Sequence, residues 1–282
     1  MAGNQLIFPM NFKAICTDID GTLLNSERSL SPNLISIVSS ISKEIPFFLA
    51  SARMPAAMRH LLQDLNRPNE PLIAYNGALV LDGHGKVLES IAIPIPVVEQ
   101  VVLLANSLQL HTSLLYGEEW HTRNEDYFAI REIKNTKVVP SWTDPLLVIE
   151  RWKSNRHGAH KAMCMGDSPK IDLLYRTLNE NLGGQLHLYR SKDTYLEIAP
   201  KPISKATGLK KILEVNYPGI GMHEVVAFGD GYNDIELLQQ AGWGVAVENA
   251  FTEVKAVANE VTKHHKEDGV ASTLTRIFLD KK

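Results

Sequence analysis

The chain has 282 residues, 44% hydrophobic and 22% charged, with 18 Gly and 14 Pro. This is ordinary globular usage, enough for at least one full core, and it excludes a wholly disordered, collagen-like or coiled-coil chain. With 29 Lys and Arg against 32 Asp and Glu the formal charge is −3, so no global positive field exists to hold nucleic acid or an anionic membrane.

In chain order, residues 1–12 lack a basic leader and do not read as a secretory signal. No segment supplies the ~20 apolar residues of a membrane helix. Residues 13–17 form an apolar run ending at Asp18, and two more follow, 46–50 into Ser51 and 72–74 into Tyr75-Asn76-Gly77. Much later, 225–228 runs into Gly229-Asp230 and 244–247 into Glu248-Asn249. Buried strands with polar carboxyl ends, alternating with helical patterns, predict an α/β fold on a mostly parallel sheet, and ligands of such sheets bind beyond those ends. Cys16 and Cys164 sit inside apolar runs, which suits reduced thiols and a cytoplasmic address.

Between these halves the texture changes. Residues 79–81 and 86–88 flank Asp82-Gly83 and read as a hairpin. Helical spacing covers 96–108, strand-like pieces fall at 112–116, 159–165, 185–189 and 194–199, and a helix over 169–182 follows the expected cap Ser168. The division is a core of 1–82 plus 201–282, with an α+β insert over 83–200.

Asp18-Ile19-Asp20-Gly21-Thr22 places two carboxylates at i and i+2 past a strand end, where Gly21 permits the turn that brings them to one site. One can stay ionised as nucleophile and metal ligand while its neighbour carries a proton; a turn with two solvated acids is the plainer alternative. Gly229-Asp230-Gly231-Tyr232-Asn233-Asp234 is a second strand emptying into acids. Asp230 suits a hard cation such as Mg2+, and Asn233-Asp234 could equally cap a helix over 235–240. Lys205 follows the expected cap Ser204. Taken singly it reads as a solvated lysine, in a first helical turn where a cation is slightly disfavoured unless an anion faces it.

Asp18-Ile19-Asp20-Gly21-Thr22-Leu23, Ser51, Lys205 and Gly229-Asp230-Gly231-Tyr232-Asn233-Asp234 resemble, in order, the four motifs of haloacid dehalogenase-like phosphohydrolases. The long insert resembles the α/β, C2B-like cap of the Cof-type subfamily, on a Rossmann-like parallel-sheet core. Tyr75-Asn76-Gly77-Ala78, residues 241–250 and residues 267–271 are similar as well, so the resemblance spans about 13–274. It implies a Mg2+-dependent phosphatase of small phosphorylated metabolites, sugar phosphates first, with no nucleic-acid or membrane partner. Asp18 would be the nucleophile, Asp20 the general acid and base, and Lys205 the neutralising cation. Mg2+ would be held by Asp18, the Asp20 carbonyl and Asp230; Ser51, Ala52, Arg53, Asn76 and Asn233 would bind phosphate or substrate, and Asp234 would orient Lys205 or a metal-bound water. The alternatives are a sugar phosphomutase and a catalytically idle phosphometabolite-binding protein.

The usual Thr-Gly-Arg of the second motif is here Ser51-Ala52-Arg53. Ser keeps the hydroxyl, and Ala implies a backbone that does not need φ > 0. Residues 263–266, Lys-His-His-Lys, stand where relatives commonly carry an Asn, which touches a loop contact only. The ten histidines show no zinc spacing. The acid-free stretch 151–161, with Arg151, Lys153, Arg156 and Lys161, reads as a solvated loop, or as a guide for an acidic substrate. Tyr195 and Glu197 share one strand face, with Tyr189 and Arg190 nearby; packing is the expected role of the tyrosines.

Overall fold

A computed structural model describes residues 11–155 and 157–280, with Ser191 described by its backbone alone. The segment read for a secretory signal lies almost wholly outside the described residues, as does Arg156. The first part of the chain is β1 (Ala14–Thr17), α1 (Pro32–Ser40), β2 (Phe47–Ala50), α2 (Ala56–Asp64), β3 (Leu72–Ala74), β4 (Leu79–Leu81) and β5 (Val87–Ser90). The middle is α3 (Ile95–Ser107), β6 (His111–Tyr116), β7 (Glu119–Thr122), α4 (Tyr127–Thr136), β8 (Ser141–Trp142), α5 (Pro145–Asn155), β9 (Lys161–Met165), α6 (Ser168–Leu182), β10 (Leu186–Lys192) and β11 (Tyr195–Pro200). The last part is α7 (Lys205–Asn216), β12 (Val225–Gly229), α8 (Ile235–Gln240), β13 (Trp243–Val247), α9 (Thr252–Val257), β14 (Glu260–Thr262) and α10 (Gly269–Leu274).

The large sheet runs β14-β13-β12-β1-β2-β3-β4-β5. From β14 to β3 every pairing is parallel. β1, β2 and β12 are buried along their whole length, as expected of strands covered on both faces. The chain moves outward from β1 through β2 and β3, then returns on the other side of β1 with β12 and β13. That reversal opens a crevice at the carboxyl ends of β1 and β12, where Asp18 and Asp230 stand. The Asp18 amide donates to the Phe228 carbonyl at 3.0 Å and locks the two ends together.

The β4–β5 hairpin pairs into this sheet, so a boundary at 83 falls inside its turn, while position 200 is the end of β11. The smaller sheet runs β10-β11-β9-β6-β7-β8. Its registers place Leu115 opposite Trp120 and Lys161, and Met163 opposite Ser113 and Glu197. Those residues share one face with Tyr195, and Leu115, Trp120, Met163 and Tyr195 merge with the core of the large sheet. The alternate residues Leu114, Ala162, Cys164 and Leu196 form a separate core with residues of α3, α5 and α6.

Two expectations are corrected. The stretch from 151 is not a loop at its start but the end of α5, where buried Val148, Ile149 and Trp152 face inward and Glu150, Arg151 and Lys153 hide that spacing. Ser168 is the first residue of α6, and Asp167 takes the cap position. β7, α4 and β8 had no sequence expectation. Cys16 and Cys164 are both buried and unpaired, and no helix among the described residues is long and apolar enough to cross a membrane.

Candidate active site

Four strand ends build the site. Asp18 follows β1, Ser51 follows β2, Asn76 follows β3, and Asp230 and Asp234 follow β12. Asp18, Asp20, Ser51, Ala52, Asn76, Asp230 and Asn233 line one cavity of about 650 Å3. Gly21 has φ 83°, and a Cβ there would lie 2.4 Å from Asp230 Oδ2; a side chain would push the two acidic loops apart. Gly77 has φ 101°, and a Cβ there would lie 2.2 Å from the Ser204 carbonyl oxygen, so the turn after β3 packs directly on the start of α7. Ser204 caps α7 in a reciprocal box with Thr207.

Lys205 is buried at 1% exposure, not solvated as a lone lysine would be. Its Nζ donates to Asp18 Oδ1 at 2.5 Å and to Asp234 Oδ1 at 2.6 Å, which offsets the unfavourable helix end. Asp234 makes no cap bond to α8. Its second oxygen accepts the Asp230 and Gly231 amides at 3.0 and 2.9 Å, so both oxygens are committed and it anchors Lys205 to the loop. Asp18 and Asp230 each have one oxygen engaged, by Lys205 and by Thr22 Oγ1 at 3.0 Å.

Oxygens of Asp18, Asp230 and Asp234 lie within 4.8 Å of one another. Three carboxylates against one ammonium leave an excess of two negative charges in a buried space. Burial raises the pKa of Asp18 well above the carboxylate range, with Asp234 and Asp230 adding to it and Lys205 opposing. Burial and then Asp234 push Asp230 up to about 6. Lys205 goes up as well: burial opposes its charge, but Asp18 and Asp234 outweigh it. A hard divalent cation fits this donor set in charge and in ligand type.

Asp20 points elsewhere. Its Oδ2 accepts Arg53 Nε at 2.7 Å, and its Oδ1 accepts Arg53 Nη2 at 2.8 Å and Arg28 Nη2 at 2.6 Å. Burial alone would raise its pKa, but the Arg53 hydrogen bond and charge, with Arg28, hold it below the usual range. Arg53, expected on phosphate, therefore grips Asp20 and the Ala57 carbonyl. Ser51 Oγ accepts the Arg53 amide at 3.2 Å, and Asn233 Nδ2 donates to Asn76 Oδ1 at 3.0 Å. Ala52 has no positive φ.

Two participants had no sequence expectation of this kind. Arg28 holds φ 58° in a turn bound by the Asn25 side chain, and nothing in its spacing marks it. Lys161 donates to the Ala52 carbonyl at 2.9 Å and to Glu197 Oε2 at 3.1 Å, tying the smaller sheet to the loop after β2. Period-two alternation along 161–165 would have placed it beside Glu197. Arg151 and Lys153 of the same stretch are elsewhere: Arg151 pairs with Glu119 and Lys153 with Glu99 and Glu150, on a helix in the other core, so these two lend the charge-guide reading no support. At 263–266 the contact falls to His265, whose amide donates to Asn249 Oδ1 at 3.1 Å.

A family model described as haloacid dehalogenase-like hydrolase matches residues 15–274, nearly the whole chain. The chain belongs to the haloacid dehalogenase-like hydrolases. It is of the Cof type with an α/β cap and is a phosphoric monoester hydrolase. Relatives of this hydrolase include pyridoxal phosphate phosphatase YbhA of Escherichia coli, 28% identical, covering 93% of the chain and 97% of that protein. Another is the 5-amino-6-(5-phospho-D-ribitylamino)uracil phosphatase YitU of Bacillus subtilis, 27% identical, covering 94% and 97%. Among solved structures, a haloacid dehalogenase-like hydrolase from Bacteroides thetaiotaomicron superposes with a TM-score of 0.84 at 30% identity, covering 95% of the chain and 100% of that structure.

Proposed function

We propose that this hydrolase is a Mg2+-dependent phosphatase of a small phosphorylated metabolite, acting through an aspartyl-phosphate on Asp18. The observation that carries the reading is the state of the Asp18 carboxylate. One oxygen is fixed by Lys205, and the other is left for phosphorus in a cavity shared with Ser51, Asn233 and Asp230. A displacement that forms the Asp18–phosphorus bond and breaks the ester bond turns one hard step into two easier ones. Lys205 neutralises charge on the nucleophile and the phosphoryl group, and Ser51 and Asn233 donate to phosphoryl oxygens. Asp18, the Asp20 carbonyl and Asp230 would hold Mg2+, with Asp234 behind them. Bound there, the ion supplies charge neutralisation that lets two anions approach. The relatives named as phosphatases of pyridoxal phosphate and of a phosphoribitylaminouracil support a small-metabolite ester, with sugar phosphates the class named from the resemblance. Two buried free thiols support a cytoplasmic address.

Asp20 protonates the departing alcohol and later takes the proton of the attacking water. As found, ionised between two arginines, it is ready for the second duty, and the first requires a proton that Arg28 and Arg53 disfavour. Asp20→Asn should therefore lower kcat/KM for an alkyl phosphate ester by at least ~10²-fold, and for p-nitrophenyl phosphate by less, because nitrophenolate needs no proton. Equal losses of kcat/KM on both esters, the quantity that reports the first displacement alone, would remove Asp20 from leaving-group protonation.

Mg2+ should also raise the unfolding temperature, since a ligand of the native state at ~100 times its Kd adds about 2.7 kcal/mol. Asp230 must shed its proton to bind, and its pKa is raised to about 6. Asp18 must shed its proton too and is also raised, so the stabilisation should be larger near about pH 7.5 than near about pH 5, where it is largely lost. A Mg2+ shift in calorimetry that is equal at both pH values would place the ion elsewhere.

A further inference from the structure

A second cavity of about 230 Å3 adjoins the first and shares Asp20, Ala52 and Glu197 with it. On the phosphatase reading, on which this inference rests, Asp20 serves the ester oxygen, so the alcohol begins where the two cavities meet and extends into the second. Its walls carry four cations, Arg28, Arg53, Lys161 and Lys192, against three carboxylates. Two of the cations are already committed. Arg53 grips Asp20 through two nitrogens, and Lys161 is held by Ala52 and Glu197.

The other two are not. Lys192, at the end of β10, makes no hydrogen bond or ion pair among the described residues; its Nζ lies 4.7 Å from the centre of the Tyr195 ring, and Arg131, likewise without an ion pair among them, stands 5.5 Å from it. Arg28 spends one nitrogen on an Asp20 oxygen that Arg53 already holds, and its other two nitrogens donate to no described residue. Glu132, the remaining carboxylate of the wall, accepts Asn135 Nδ2 at 3.3 Å and counters only one of these charges. Burial and then Arg131 lower the pKa of Lys192, and Arg28 adds to them over the opposition of Glu132 and Glu197. The Tyr195 hydroxyl is buried with no hydrogen-bond partner, so an unused donor lies in the same wall. Hydroxyls of a neutral sugar leave these cations repelling one another, whereas an anion relieves the repulsion and accepts charge-assisted bonds from Lys192 and Arg28.

We propose that the leaving alcohol carries a second anionic group, a carboxylate or a phosphate, which sits between Lys192 and Arg28. The test uses the full-length protein with Mg2+ and two matched pairs of esters. 3-Phosphoglycerate has a carboxylate where glycerol 3-phosphate has a hydroxymethyl group, and fructose 1,6-bisphosphate adds a second phosphate to fructose 6-phosphate. Acetyl phosphate reads phosphoryl chemistry with no alcohol at all. In at least one pair the member with the second anion should exceed its partner in kcat/KM by about tenfold or more, and the pair that responds says whether the group is a carboxylate or a phosphate. Lys192 is exposed, so its replacement leaves the core intact. Lys192→Gln should lower the favoured ratio severalfold through the KM of the doubly anionic ester, and Lys192→Glu should lower it further. A ratio below about tenfold in both pairs, including no turnover of any of the four esters, overturns the second anion site. So does a ratio unchanged in Lys192→Gln, or one no lower in Lys192→Glu than in Lys192→Gln. Hydrolysis of acetyl phosphate in those cases leaves the phosphatase reading standing; with no hydrolysis of any substrate, both fall.

Discussion

Replacing Asp18 with Asn is expected to cut phosphate release from p-nitrophenyl phosphate by at least about 10³-fold while the fold survives. The amide fills the same space but cannot attack phosphorus, and the remaining carboxylate beside it, Asp230, would be taken up in holding Mg2+. Asp20 is turned to Arg53 and Arg28, and both oxygens of Asp234 are committed. Stability should move the other way. The folded-state pKa of Asp18 is raised, chiefly by burial, so its charge costs stability once the pH exceeds the unfolded carboxylate value, and the cost grows until the folded-state pKa is passed. Asn removes that cost. Without Mg2+ near neutral pH, the variant should melt at or above the native temperature, the exchange of stability for activity expected of a reactive site. Near-native turnover would overturn the covalent mechanism, and a large drop in melting temperature would overturn the charge argument.

Lys205→Met should be the most destabilising single change in the site. The ammonium is fully buried between two carboxylates. Methionine keeps most of the stem but leaves Asp18 and Asp234 facing each other with no cation, and removing one partner of a buried ion pair costs about 3–5 kcal/mol. In a chain of this size that corresponds to roughly 10 °C in melting temperature. Adding Asp234→Asn removes one of the stranded charges, so the double variant should recover part of the loss. Thermal unfolding of the native protein, the single and the double variant checks this. A double variant less stable than the single would mean that packing, not charge, sets the cost.

The parallel core was legible because its strands are short unbroken apolar runs, such as 14–17 and 225–228, each leading into polar residues. The same pattern points the polar ends of those strands, Asp18 and Asp230 among them, toward one crevice. Lys205 was harder: alone it is an ordinary lysine at the wrong end of a helix, and only the two carboxylates from distant strands explain its burial. The segment between Gly117 and Asn155 was opaque, because charged residues of α5 interrupt its apolar spacing and β8 is two residues long. Arg28 and Arg53 illustrate a different limit. Their guanidiniums select Asp20 over phosphate by where a turn and a strand end place them, and no local spacing encodes that choice.

The central claim is a covalent bond between Asp18 and phosphorus. Asp20→Asn slows the second displacement by removing its base, so the intermediate should accumulate when this variant is mixed with Mg2+ and p-nitrophenyl phosphate and quenched in acid. Mass spectrometry of the digested protein should find the peptide containing Asp18 heavier by one phosphoryl group, with the group on Asp18 itself. A phosphoryl group on any other residue, or nitrophenol released in a burst with no modified peptide, would contradict the account.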